Sequence, residues 1–109
     1  MREPQRQGVD KYLGAELFDS GGEKVGTIDR FLPNRLSGVQ EWMVVEAGIF
    51  GTSQLVVPVA GAAFEDGVVR VPHKRSHIID APAVEAGDQL TAEAEAELDA
   101  HYGLGAAPD

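Results

Sequence analysis

The sequence contains no cysteine, so disulfide bridges, thiolate zinc sites and cysteine nucleophiles are excluded. It also has no apolar run close to the ~20 residues that a transmembrane helix requires. The opening MREPQRQGVDKY is charged and polar and lacks the apolar segment of a secretory signal. These absences predict a cytoplasmic protein with no membrane span.

Positive charge is missing from the C-terminal part of the chain. Residues 80–109 carry eight acidic side chains and no Lys or Arg, whereas residues 1–79 carry ten acids and nine bases. The net charge of −9 is therefore −8 from the C-terminal segment and only −1 from residues 1–79. Because such a surface repels polyanions, we expect neither nucleic acid nor an anionic membrane as a partner.

Sequence signatures of catalysis are absent as well. The 13 glycines form neither GxxxxGK[ST] nor GxGxxG, and no serine lies in a nucleophile-elbow sequence. Asp29 and Glu46 are predicted on strands, where acid–base chemistry is the alternative to a solvated strand face. We favour the solvated face, and expect a protein that is not an enzyme and has no cofactor or small-molecule substrate.

Short strands and turns are predicted from residue 13 to residue 72. Residues 19–22 and 65–67 are typical hairpin turns, because they combine aspartate with glycine. About five or six short antiparallel strands, with turns roughly every 8–12 residues, predict a mainly-β fold, either a small barrel or a sandwich. The strand over residues 39–47 has apolar side chains on both faces, so we expect it to lie centrally.

The second predicted strand, over residues 24–31, contains an irregularity. Val25 and Ile28 are both apolar, yet they fall on opposite faces of a regular strand because side chains alternate. A β-bulge at Gly26 and Thr27 would restore a common face and bend the strand, as barrel closure requires. An ordinary strand with apolar residues on both faces is the alternative.

Residues 91–102 change to a helical period. Alanine and glutamate dominate this segment, Thr91 can cap its first turn, and Gly103 can end it. An isolated helix of this length is marginal in water, so we expect its apolar stripe to dock. The stripe comprises Leu90, Ala94, Leu98 and Tyr102. The predicted organisation is a flexible arm over residues 1–12, one domain over 13–103 and a disordered tail over 104–109.

Several motifs together resemble the PRC-barrel family, in particular its actinobacterial proteins. The motifs are LGAELFDSGGEKVGTID (residues 13–29), EWMVVEAGIFGT (41–52), VVPV (56–59), VP (71–72), DAP (80–82) and a closing helix from LT (90–91) to YG (102–103). The family includes the cytoplasmic domain of the photosynthetic reaction centre H subunit and the C-terminal domain of the ribosome-maturation factor RimM. The resemblance implies a small β-barrel with a C-terminal helix that binds protein without catalysis.

Four residues are candidates for an interaction surface: Trp42, Ile49, Phe50 and Tyr102. Ile49 and Phe50 lie between two glycines in a predicted hairpin loop, where they either cover the end of the barrel or project as an interface anchor. For Trp42 the two alternatives are burial in the core and exposure at an interface. The predicted function is a non-catalytic protein-interaction or scaffold module that binds a partner protein or self-associates as a homo-oligomer.

A small-ligand or metal-binding barrel that uses His73 and His77 is the alternative function. Their spacing would place both rings on one face of a helix, as a metal pair requires. Lys74 and Arg75 lie between them and oppose a cation, and no third ligand is apparent. We therefore expect no bound metal, with these histidines exposed to solvent and His101 at the surface or in packing.

Overall fold

The computed structural model describes residues 11–34, 36–48, 53–82, 87 and 90–104. These residues form a mainly-β fold, as the sequence predicts. The strands are β1 (Glu16–Phe18), β2 (Lys24–Pro33), β3 (Gln40–Ala47), β4 (Ser53–Pro58), β5 (Ala63–Glu65) and β6 (Val68–Arg70). The helices are α1 (Arg75–Ile79) and α2 (Ala92–Tyr102).

The six strands form one mixed sheet in the order β4-β3-β2-β1-β6-β5. The prediction that all strands are antiparallel is wrong, because β1 pairs with β6 in parallel, Glu16 opposite Val68. Alternation of side chains tells which face a residue occupies, but it does not tell in which direction a sequence-distant strand pairs. In the described residues β4 and β5 are the two edges of an open sheet, and barrel closure is not confirmed.

Strand β2 contains three register irregularities. Against β1 the extra residue is Val25, and against β3 it is Asp29. At the third, between Leu32 and Pro33, the extra residue is Glu41 of β3. The sequence predicts one bulge at Gly26 and Thr27, so the irregularity is real but flanks the predicted position. Val25 and Ile28 are both buried, as a bulge between them requires.

Strand β3 lies inside the sheet and is covered on both faces. Four consecutive side chains, Trp42 to Val45, are buried, and consecutive side chains point to opposite faces. The central position predicted for this strand is confirmed by its pairing with β2 on one side and β4 on the other.

Helix α2 docks on the sheet of its own chain. The Thr91 hydroxyl oxygen accepts a hydrogen bond from the Ala94 N–H at 3.0 Å, and Gly103 ends the helix with a φ of +71°. The four stripe residues Leu90, Ala94, Leu98 and Tyr102 are all buried. The predicted cap, stop and docking face are confirmed.

Helix α1 is not anticipated by the sequence pattern, since it spans only five residues. Its first N–H, from Arg75, donates to the Asp19 carboxylate at 2.9 Å. The other oxygen of Asp19 accepts from Gly21 at 2.8 Å and from Glu23 at 2.7 Å. One carboxylate therefore orders the β1–β2 turn and anchors α1, whose Ile78 is fully buried.

The packed structure extends slightly beyond the predicted limits. Tyr12, assigned by sequence to the arm, is buried and meets Phe64 edge-on with ring centroids 4.8 Å apart. Leu104, assigned to the tail, packs against the core. None of the helices within the described ranges has the length and apolar character needed to cross a membrane.

Candidate functional site

Trp42 belongs to the core and not to the surface. Only 1% of the residue is exposed, and it pairs across the sheet with Leu32 and Pro58. Its indole Nε1–H is buried without a hydrogen-bond partner among the described residues. The choice between core and interface, which the sequence leaves open, is decided for the core because β3 is covered on both faces.

Tyr102 is likewise an internal contact. It is 7% exposed, and its hydroxyl donates to the backbone carbonyl of Val56 in β4 at 3.0 Å. Burial raises the pKa of this phenol above its ordinary range, so the hydroxyl stays protonated and can donate. The remaining candidates, Ile49 and Phe50, lie outside the described residues, and their role stays a prediction.

The described surface shows a different apolar pair, on the connection from β2 to β3. Leu36 is 82% exposed and Val39 is 58% exposed. The sequence pattern predicts a connection at Leu36 and the start of a strand at Val39, and it assigns neither residue a role. An available signal is that two branched apolar residues occur in a turn-forming segment, where neither strand nor helix periodicity can bury them.

Hydrogen bonds connect the described residues of this loop, which are 34 and 36–39. The Asn34 side-chain oxygen accepts from the N–H groups of Leu36 and Ser37, each at 2.9 Å. The Ser37 hydroxyl accepts from Val39 at 3.1 Å, and the Asn34 N–H donates to the Val39 carbonyl at 2.8 Å. Such an Asx-type arrangement orders a loop without a core beneath it. Leu36 and Val39 are therefore presented on an ordered scaffold.

Acidic side chains lie beside this loop. The Asn34 amide donates to Glu41 at 2.6 Å, which ties the first strand residues of β3 to the loop. Burial raises the pKa of Asp99 in α2, and the negative charges of Glu41 and Glu95 raise it further. The loop thus connects to a cluster of carboxylates contributed by β3 and α2.

The three histidines are gathered at the junction of α1 and α2. His73 precedes α1, so His73 and His77 do not share one helix; their ring centroids are 6.3 Å apart. His77 instead stacks on His101 at 4.1 Å with ring planes 11° apart. His101 is the partner that sequence spacing could not reveal, since it lies in the other helix.

The stacked pair is poorly arranged for a metal ion. The Nε2 atoms of His77 and His101 contact each other's backbone carbonyls, at 3.0 Å and 2.7 Å. Lone pairs of imidazole lie in the ring plane, so two nearly parallel rings this close cannot direct theirs at one ion. Among the described residues no group of three or more His, Cys, Asp or Glu side chains is arranged to hold a metal.

An open groove of about 490 Å³ runs between the β1–β2 turn and α1. Lys74, Arg75 and Asp80 line it together with Asp19 and Ser20. The Asp19 carboxylate already accepts backbone N–H groups, which hold its pKa below the usual range, chiefly through the bonds from Glu23 and Arg75. This carboxylate is therefore occupied in structural hydrogen bonds.

A comparison of the sequence with models of known protein families matches no family, and a comparison with curated proteins finds no match. The resemblance to PRC-barrel proteins accordingly rests on the motifs quoted above and remains a prediction.

Proposed function

We propose that this chain is a non-catalytic protein-interaction module of the PRC-barrel type. Support comes from the sequence motifs, from the hairpin turn at residues 19–22 and from a six-stranded sheet followed by a closing helix. The barrel closure, the cytoplasmic location and the capacity to self-associate belong to the same proposal. The bends in β2 favour closure because bulges curve a sheet.

The observation that carries the proposal is the ordered display of Leu36 and Val39. Exposed apolar side chains gain roughly 25 cal/mol for each Å² that a partner removes from water. Because the Asn34 and Ser37 side chains accept hydrogen bonds that already order the loop, binding loses less conformational entropy there than at a flexible segment. Ordered apolar anchors of this kind are typical of residues that dominate interface energies.

The acidic surroundings define the chemistry of the partner. Glu41 accepts a hydrogen bond from Asn34 at the base of the loop, and Asp99 lies near Glu41. A protein surface with an apolar pocket bordered by Lys or Arg would match the apolar pair and the carboxylates together. Nucleic acid does not fit, since it offers no apolar pocket and its phosphates would be repelled.

The test compares a double variant, Leu36→Ser with Val39→Ser, against Leu13→Ser. Leu13 is another exposed leucine and lies outside the loop, so it controls for general loss of apolar surface. Proteins captured by the wild-type chain are identified, and each purified candidate is titrated by calorimetry. We expect the double variant to bind at least ~10-fold more weakly than the wild type, and Leu13→Ser to bind with nearly the wild-type affinity. The melting temperatures of both variants should be nearly unchanged.

Equal affinity of the double variant and the wild type would show that the loop is not the binding site. Sedimentation of the same proteins tests the remaining possibility of self-association. If the wild type is a homodimer, the double variant is a monomer and no other binding changes, the partner is a second copy and the proposed basic partner is wrong.

A further inference from the structure

All three histidines of the sequence meet in one cluster. His77 and His101 form a reciprocal pair, in which each Nε2 contacts the backbone carbonyl of the other residue. Because a carbonyl oxygen only accepts, both Nε2 atoms carry a hydrogen and donate. The third ring, His73, lies 4.8 Å from the Tyr102 ring in an edge arrangement.

The pair joins two helices that both lie against an edge strand. His77 is in the last turn of α1 and His101 is in the last turn of α2. Helix α1 contacts β4, and Tyr102 of α2 donates to the Val56 carbonyl of the same strand. The histidine pair therefore connects α1 and α2, the two helices that cover part of the β4 edge of the sheet.

We propose that the cluster of His73, His77 and His101 is a proton-sensitive joint, which holds α1 and α2 together when the rings are neutral and loosens when they are protonated. Neutral rings can stack while each Nε2–H keeps its carbonyl. A proton taken from solvent adds to Nδ1 and leaves the Nε2–H bonds formed, but it makes the ring a cation. Two cations with centroids 4.1 Å apart repel each other, and the stack becomes unfavourable.

Several charged or titratable side chains lie near the pair. Lys74 and Asp80 are the caps of α1, three residues before and after His77, and Glu97 lies four residues before His101 in α2. The Tyr102 ring lies edge-on to all three imidazoles. Strand β4 contributes no ionisable side chain. The two ion pairs found in the described residues join Lys24 to Glu16 and Arg30 to Asp29, so neither neutralises an imidazole.

His73 supports the same direction of pH dependence. Burial lowers the pKa of His73 below its ordinary value of 6.5, and the neighbouring rings of His77 and His101 lower it further. Its Nε2 is buried without a hydrogen-bond partner among the described residues. The unfolded chain therefore binds this proton more readily than the folded chain. The stabilising contribution is complete above pH 6.5 and is lost as the pH falls below it.

The test is a pH series of thermal unfolding on the full chain and on the triple variant His73→Gln, His77→Gln, His101→Gln. Glutamine keeps an amide donor and cannot take up a proton in this range. We expect the wild-type melting temperature to fall by ~3–8 °C between pH 7.5 and 5.5, and that of the triple variant to stay level. Glu93→Gln, a change at the exposed start of α2, should follow the wild type.

Hydrogen exchange of the wild type separates opening of the joint from general destabilisation. After correction for intrinsic rates, the amides of α2 should lose protection at pH 5.5 before those paired between β2 and β3. Equal pH profiles for the wild type and the triple variant would overturn the proposal, and so would simultaneous loss of protection in α2 and the central strands. If the triple variant does not fold, His77→Gln alone should at least halve the drop in melting temperature, and an unchanged drop would contradict the joint.

Discussion

Tyr102 and Val56 are joined by a hydrogen bond of 3.0 Å from the phenol to the backbone carbonyl. The bond links the last residue of α2 to edge strand β4 across 46 positions of sequence. A buried carbonyl without a donor is costly, and an edge strand has no further neighbour to supply one. The contact therefore satisfies the strand and fixes the end of the helix.

We predict that Tyr102→Phe lowers the free energy of unfolding by about 1–3 kcal/mol, because the Val56 carbonyl loses its donor. Urea denaturation followed by Trp42 fluorescence measures this. Tyr12→Phe is the matched control, since the Tyr12 hydroxyl has no hydrogen bond to another described residue. Equal effects of the two substitutions would show that the bond to Val56 adds nothing to stability.

The same phenol predicts a loss of stability in alkali. Burial raises the pKa of Tyr102 above its ordinary value of 10.0, so the folded chain favours the neutral form more than the unfolded chain does. Its contribution is present below pH 10 and is lost as the pH rises above it. We expect the alkaline decline in melting temperature to be shallower in Tyr102→Phe than in the wild type.

Leu98→Ala tests the docking of α2. The side chain is fully buried, so its truncation should reduce the free energy of unfolding by about 2–5 kcal/mol. Leu36→Ala removes the same atoms from an exposed position and should change stability by less than about 0.5 kcal/mol. Urea denaturation measures both free energies of unfolding. Similar small losses in the two variants would mean that α2 contributes little to the core.

Gly26→Ala tests the close approach of β2 and β3. A Cβ at Gly26 would overlap the Glu46 carbonyl oxygen, which is backbone and cannot rotate away. We expect a loss of about 1–3 kcal/mol in the free energy of unfolding. At Gly87 no described atom lies within 4 Å of the same position, so Gly87→Ala should be nearly neutral. A neutral Gly26→Ala would show that the strands separate without strain.

Asp19→Asn tests the carboxylate that anchors the turn and α1. Hydrogen bonds from Glu23 and Arg75 hold the pKa of Asp19 below its ordinary 3.8, so its contribution is present above that pH and lost as the pH falls through the lowered value. We expect the variant to be less stable at pH 7 and to lose stability less steeply between about pH 4 and 2. Asp66→Asn, in the β5–β6 turn, should keep the wild-type acid profile.

Local signals in the sequence identify most of the elements but not all of their partners. Aspartate and glycine at residues 19–22 and 65–67 predict the two hairpins, because those residues adopt turn conformations through their own chemistry. Strand β5 and helix α1 are too short to show a period, so the sequence pattern does not distinguish them from loops. The predicted bulge is displaced because strand pairing, and not composition alone, selects the extra residue.

For a related reason, the sequence does not distinguish buried from exposed candidates for the site. Trp42 and Tyr102 carry the size and shape of interface anchors, and nothing in their sequence neighbourhood distinguishes a buried aromatic residue from an exposed one. The exposed pair, Leu36 and Val39, was passed over because apolar character ordinarily predicts burial. Exposure depends on which neighbouring strands and helices cover a position.

The sequence by itself determined the mainly-β character, the central position of β3, the cap at Thr91, the stop at Gly103 and the apolar stripe of α2. Each of these follows from the chemistry of residues close together in the chain. Only the tertiary structure decided that β1 pairs in parallel with β6 and that His77 meets His101. Those contacts join distant segments, and they form because burying the whole core brings the segments together, which no local pattern records.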